Sequence, residues 1–248
     1  EKRVILEERF QRIESDPSSL LDESMRSILY PNHPYGRPII GWKHEIMELN
    51  FDDVKSFYKT HYEPRNAILV ISGDIDLKRA KNIVKKNFSK IKNTNKLEFK
   101  QTLDPELTSE VFVEKKHPTV KQDIWKKLYR ADSYNKSIKH GIALDIGLKI
   151  IAGGTSSLLY DEFVNKKKIF SMVGGFYQGL SRGQGYIYFY AIPNEKIDPK
   201  KIDNMIMEKI KDFVNNKLSL EKLQTEKKKY IYDSIYRMDG ILKPSEIY

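Results

Sequence analysis

The sequence contains no cysteine, which excludes disulfides and thiolate metal sites within it. No apolar run approaches the roughly 18 residues that a helix needs to cross a bilayer. Histidine is scarce. His33, His44, His61, His117 and His140 are the five, and no two stand at the i, i+4 spacing that aligns two imidazoles on one helical face. Acidic residues are the minority sign, 34 against 44 Lys and Arg, giving a formal net charge of +10. Such a balance suits an acidic partner or nucleic acid, the latter predicting binding that falls steeply with salt. Most of the excess is Lys, however, spread along the chain and accompanied by abundant Ile, Asn and Tyr. That pattern matches a coding bias toward A and T better than a nucleic-acid face, so neither a nucleic-acid nor a membrane partner is expected.

What remains is ordinary globular material. The 248 residues are 40% hydrophobic and 31% charged, enough for one large or two modest domains. The first fourteen residues read as a helix with two faces. Leu6, Phe10 and Ile13 follow i, i+4, i+7 spacing and make an apolar stripe. Glu1 and Glu8 lie seven residues apart, nearly two turns, so both carboxylates point the same way about 10 Å apart along the axis. Val4, Ile5 and Arg12 share that face. Carboxylate is a zinc ligand type, so a metal site is one reading; acids in water on a charged helix are the other.

Asp16 and Pro17 mark the N-cap and first position of a second helix bearing Leu20, Leu21, Met25, Ile28 and Leu29. A Pro- and Gly-rich loop follows from Tyr30 to Pro38. Asn50 starts a third helix, which runs to Tyr62. Ala67 to Ser72 is a continuous apolar run bounded by turn signals, which predicts a buried strand. Asp76 caps a helix carrying Ala80, Ile83, Val84 and Phe88. The polar, aperiodic stretch from Ser89 to about Glu106 reads as a linker. Beyond it, Glu110–Val113 and Ile124–Tyr129 look like strands, and Ser137–Ile151 is a helix. The run Gly153-Gly-Thr-Ser-Ser157 lacks the Lys of a phosphate loop and reads more simply as a helix C-cap followed by an N-cap. Ser171–Tyr177 and Gly185–Ala191 alternate as a strand pair. Two Lys-rich amphipathic helices, Pro199–Asn215 and Ser219 to about Tyr236, end the pattern. This order fits no doubly wound parallel sheet; it fits an α+β class with layered helices and sheet.

Three segments together carry a resemblance. Glu1-Lys-Arg-Val-Ile-Leu-Glu-Glu8 resembles the distal-glutamate helix of the pitrilysin/insulinase (inverzincin) zinc peptidases, which include processing peptidases and their bacterial relatives. His33-Pro-Tyr-Gly-Arg-Pro-Ile-Ile-Gly41 is similar to the H-P-Y-x-x-P-x-x-G segment that follows that helix. Phe57 to Asp74 resembles the F-Y-x-x-x-Y-x-P-x-N-A-x-L-x-x-x-G-D segment and is the strongest of the three. The Gly153–Ser157 run is similar to the G-G-x-x-S-x-L segment of the family's second repeat.

The resemblance implies two related domains, each a mixed or antiparallel sheet with helices on one side. Residues 1–95 would be the back part of the first domain, 96–108 the linker, and 109–248 a second domain cut short. It implies peptide-bond hydrolysis in extended oligopeptides, with zinc as cofactor. Glu8 matches the position of the zinc ligand, and Glu1 that of the supporting catalytic glutamate. The H-x-x-E-H helix that supplies the other ligands has no counterpart here. The chain opens on Glu1 in mid-helix and ends on Tyr248 after Pro244 without a closing element, so it reads as a piece of a longer protein, inactive alone and without zinc of its own. The family's substrate contacts, an Arg and a Tyr after the second repeat's glycines, are replaced by Val164 and Ser171. That departure implies a catalytic subunit whose homologous partner supplies those contacts. A non-catalytic scaffold or substrate-binding subunit of the same fold is the alternative. The compartment, bacterial cytoplasm or periplasm, stays open.

Overall fold

The computed structural model describes residues 1–92, 102–216 and 218–239. In chain order the elements are α1 (Lys2–Arg9), a π turn (Phe10–Glu14), α2 (Pro17–Leu29), α3 (Lys43–Glu48), α4 (Phe51–His61), α5 (Leu77–Phe88), β1 (Trp125–Ala131), α6 (Ile138–Ala152), α7 (Leu158–Tyr160), a second π turn (Asp161–Lys166), β2 (Phe170–Gln178), β3 (Gly185–Pro193), α8 (Pro199–Asn216) and α9 (Leu220–Arg237). The fold is mixed α+β, with a three-stranded antiparallel sheet of order β1-β3-β2.

The chain divides into two compact units. The first joins residues 1–42 to residues 101–230; the second joins 43–100 to 231–248.

In the first unit, β3 is the central strand. Trp125 stands opposite Ala191 and Ala131 opposite Gly185 on one side. Val173 faces Ala191 and Gln178 faces Tyr186 on the other, after a bulge between Phe170 and Met172. Alternation along β3 separates two faces. Phe189 and Ala191 join Trp125, Val173 and Tyr177 in the core, with Ile146, Ile150 and Ile151 of α6, Leu158 and Leu159 of α7, Phe163, and Ile202, Ile206 and Phe213 of α8. Tyr186, Tyr188 and Tyr190 line the opposite face, and α2 is fastened there. Lys126, opposite Tyr190, reaches Ser18 and Asp22 of α2. Arg26 donates to the Tyr186 hydroxyl at 3.1 Å, and the Tyr30 hydroxyl donates to the Gly185 carbonyl at 2.8 Å.

The caps read from sequence form as expected. Asp16 accepts from the Ser18 and Ser19 amides ahead of Pro17. Ser137 caps α6 through the His140 amide. Gly153 closes α6 and Gly154 takes a positive φ of 80°. Ser157 caps α7 through Tyr160 N.

In the second unit, Asn50 and Asp53 make a reciprocal capping box at the start of α4. Asp76 caps α5. Neither α4 nor α5 has a buried residue. The apolar run expected as a buried strand enters no β ladder among the described residues, and Ile68, Leu69, Val70 and Ile71 are exposed. The pattern is that of a strand, but a strand needs a second one beside it, and this unit has no strand among its described residues. The strand expected at Glu110–Val113 is likewise absent, with Val111 and Phe112 exposed. Of the expected linker, residues 93–101 lie outside the described residues. The part that follows is fastened: Asp104 Oδ1 accepts from the Asn32 and His33 amides, and Leu103 O accepts from Asn32 Nδ2.

Candidate functional site

Glu1 and Glu8 sit at the two ends of α1. Glu1 is its N-cap; its carbonyl accepts from Val4 N at 2.9 Å and Ile5 N at 3.1 Å, and its side chain makes no capping hydrogen bond. The Glu8 carboxylate lies 3.0 Å from Arg12 Nη2, an i, i+4 pair in which the Arg12 side chain is exposed and that of Glu8 is partly exposed. A pair of this kind contributes only a few tenths of a kcal/mol, so it does not commit the Glu8 carboxylate.

The residue between this face and the body of the unit is Arg9. It is buried, 4% exposed. Nη1 donates to the Gly41 carbonyl at 2.8 Å, and Nη2 donates to Glu23 Oε1 at 3.0 Å. Nη1 also faces Glu23 Oε2 at 2.9 Å, and Nε faces Glu14 Oε1 at 3.4 Å. Neither Nε nor Glu23 Oε2 completes an aligned hydrogen bond. Sequence reasoning passed over Arg9, although a signal existed: it stands three residues after Leu6 and four before Ile13, on the stripe those two define. The stripe itself is broken. Leu6 and Ile13 are half-buried, but Phe10 is 51% exposed. Phe10 opens the π turn, whose wider winding turns Ile13 away from it.

The loop from Tyr30 to Gly41 is a clasp. Tyr35 N donates to His33 Nδ1 at 3.1 Å, and the Tyr35 hydroxyl accepts from Arg182 N at 2.9 Å. Burial pushes the Tyr30 phenol upward from its ordinary range. His33 is thereby engaged in the loop's own hydrogen bonding.

Among the described residues, no three His, Cys, Asp or Glu side chains converge on a point where a metal ion would be held. Glu8 is a suitable single donor, but no imidazole stands with it. The residues present therefore do not by themselves make a zinc site, which takes three or four ligands. The two positions that depart from the substrate-contact pattern serve packing and strand contacts: Val164 packs against the core, and the Ser171 hydroxyl donates to the Ile192 carbonyl at 3.2 Å.

Residues 48–230 match the family model described as the peptidase M16 inactive domain. The zinc protease PqqE of Helicobacter pylori is 27% identical over 236 residues, covering 92% of this chain and 52% of that protein. The chain thus spans about half the length of this relative. In shape, it is similar to a protease of Helicobacter pylori with a TM-score of 0.81 at 22% identity, covering 99% of this chain and 59% of that one. The peptidase M16 inactive domain of Pseudomonas fluorescens is similar with a TM-score of 0.73 at 16% identity, covering 93% and 54%.

Proposed function

The chain belongs to the peptidase M16 family, through the family's inactive domain, and from that premise we propose that it is part of a zinc metalloendopeptidase acting on extended oligopeptides. In this reading, Glu8 is one ligand of the zinc and Glu1 the supporting carboxylate, while the remaining ligands come from polypeptide outside this chain. The observation that carries it is α1 itself: two carboxylates on one helix, at its ends, with Glu8 paired to the exposed Arg12. Both precede the matched range of residues 48–230, so the domain named inactive and the proposed site are different parts of the chain.

Zinc, when bound, lowers the pKa of a coordinated water toward about 7 and polarises a carbonyl. The residues described here contribute a donor and its placement to that chemistry. Residues 1–95 are proposed as the back part of a first peptidase domain, 96–108 as a linker and 109–248 as a second domain. The α1–α2 segment would then belong to the first domain in descent, yet it packs into one compact unit with the second. Val164 and Ser171 support a subunit whose homologous partner provides the substrate contacts.

The test is zinc content of the complete protein. Glu8→Gln is expected to abolish retained zinc and peptide hydrolysis together. Zinc and activity both surviving that substitution would remove the assignment. The second reading is a non-catalytic subunit of the same fold. It predicts a complete protein that folds without zinc and hydrolyses nothing.

A further inference from the structure

We propose that Arg9 is the positioning residue for Glu8, setting the rotation of α1 about its own axis. The functional weight of this rests on the reading of Glu8 as a ligand; the geometry stands without it. Arg9 follows Glu8 directly, so its side chain leaves the helix about 100° around from the Glu8 carboxylate. Its guanidinium is buried and meets three elements at once: the Gly41 carbonyl at 2.8 Å, Glu23 on α2 at 3.0 Å and Glu14 at the end of the π turn at 3.4 Å. Of these, α2 is itself fixed to the sheet by Lys126–Asp22 and Tyr30–Gly185. A continuous path of polar contacts therefore runs from the sheet through α2 and Arg9 to the residue beside Glu8.

Such a fixed point is needed because α1 does not end in a regular helix. It passes into the π turn at Phe10, where the Ser15 amide donates to the Phe10 carbonyl five residues back, at 2.9 Å. Exchanging a π turn for an α turn shifts the upstream helix by one residue, a rotation of about 100°. On a Cα radius of about 2.3 Å, that moves the Glu8 Cα alone by about 3.5 Å. Metal–ligand distances tolerate about 0.2 Å. Lysine cannot replace Arg9 in this role, since one ammonium lacks the planar fork that reaches acceptors on separate elements.

Two readouts in the complete protein test this. The 248 residues hold no cysteine; with any cysteine elsewhere in the complete protein replaced by serine, Glu8→Cys and Gln178→Cys, each carrying a nitroxide label, report the position of α1 against β2 by pulsed electron resonance. Arg9→Met is paired with Glu23→Leu, so that no buried carboxylate is left bare if Arg9→Met alone fails to fold. Thermal unfolding confirms that the double variant is folded. The expected result is a distance distribution shifted by about 3 Å or more, or clearly broadened. An unchanged distribution overturns the proposal. The second readout is zinc retained against graded chelator by the protein with Glu8 intact, expected to weaken about 10- to 100-fold in the double variant. A shifted α1 with undiminished zinc would uphold Arg9 as the positioning residue and instead remove Glu8 as a ligand.

Discussion

The Lys126 ammonium, on a side chain 2% exposed, lies 2.8 Å from Asp22 Oδ1, 2.6 Å from Ser18 Oγ and 3.1 Å from the Ser18 carbonyl. Three donors meet three acceptors, and β1 is joined to α2 by a charge that has no water to fall back on. Asp22→Asn keeps the shape and removes the countercharge. Because Asp22 is 37% exposed, solvent screening moderates the loss, which is expected at about 1–2 kcal/mol. Urea unfolding measures it; a change below about 0.3 kcal/mol would mean that the pair does not hold α2.

Gly36 tests the clasp. A Cβ built there would lie 2.1 Å from the Tyr30 carbonyl oxygen, which is backbone and cannot swing aside. Gly36→Ala is expected to destabilise by about 1–3 kcal/mol and to loosen the Tyr30–Gly185 hydrogen bond. Amide exchange across β3 should rise with it. An alanine variant as stable as the parent would show that the loop relaxes freely.

The pH dependence of α2 follows from its cap. Asp16 is held below the usual carboxylate range, first by the Ser19 hydroxyl and then by the Ser18 and Ser19 amides, against the opposing cost of burial. A carboxyl whose folded pKa is depressed stabilises the fold above its unfolded value and loses that contribution as pH falls through the folded one. Asp16→Ala should therefore cost about 0.5–2 kcal/mol near neutrality. The gap between parent and variant should narrow below about pH 4. Melting temperatures from pH 7 to pH 2 decide it; a gap that stays constant would mean the cap acts without its charge.

Ile68 is 89% exposed, inside the most apolar run of its segment. In this chain, Ile68→Asn should change stability by no more than about 0.5 kcal/mol. It should also reduce any self-association seen in sedimentation velocity, because an exposed apolar run invites contact with another copy. A destabilisation above about 1 kcal/mol would show that the run is buried in solution.

Much of this architecture was readable because its signals are local. Asp16 before Pro17, Asn50 with Asp53, and Ser137 each satisfy orphan amides within a few residues, so the sequence around them suffices. The alternation in Ser171–Tyr177 and Gly185–Ala191 announced a hairpin whose two strands are close in sequence. What failed was non-local. Ala67–Ile71 has the composition of a strand, but composition does not supply the neighbour. Phe10 was assigned to an apolar face by a constant period, which the π turn breaks. For the candidate site, the spacing of Glu1 and Glu8 was legible, and Glu1 is the N-cap of α1 with Glu8 near its other end. The place of Arg9 on the Leu6–Ile13 stripe was legible too, but its partners were not, because Glu23 and Gly41 lie 14 and 32 residues away.

The docking of α2 also sets an order in time. The Tyr30–Gly185 hydrogen bond spans 155 residues. At ribosomal speeds of about 5–20 residues per second, the acceptor is made roughly 8–30 s after the donor. Until β3 leaves the ribosome, α2 cannot make its contacts with that strand. During synthesis α2 is a nascent segment open to chaperones and proteases, and it takes its place only after Gly185 has been translated.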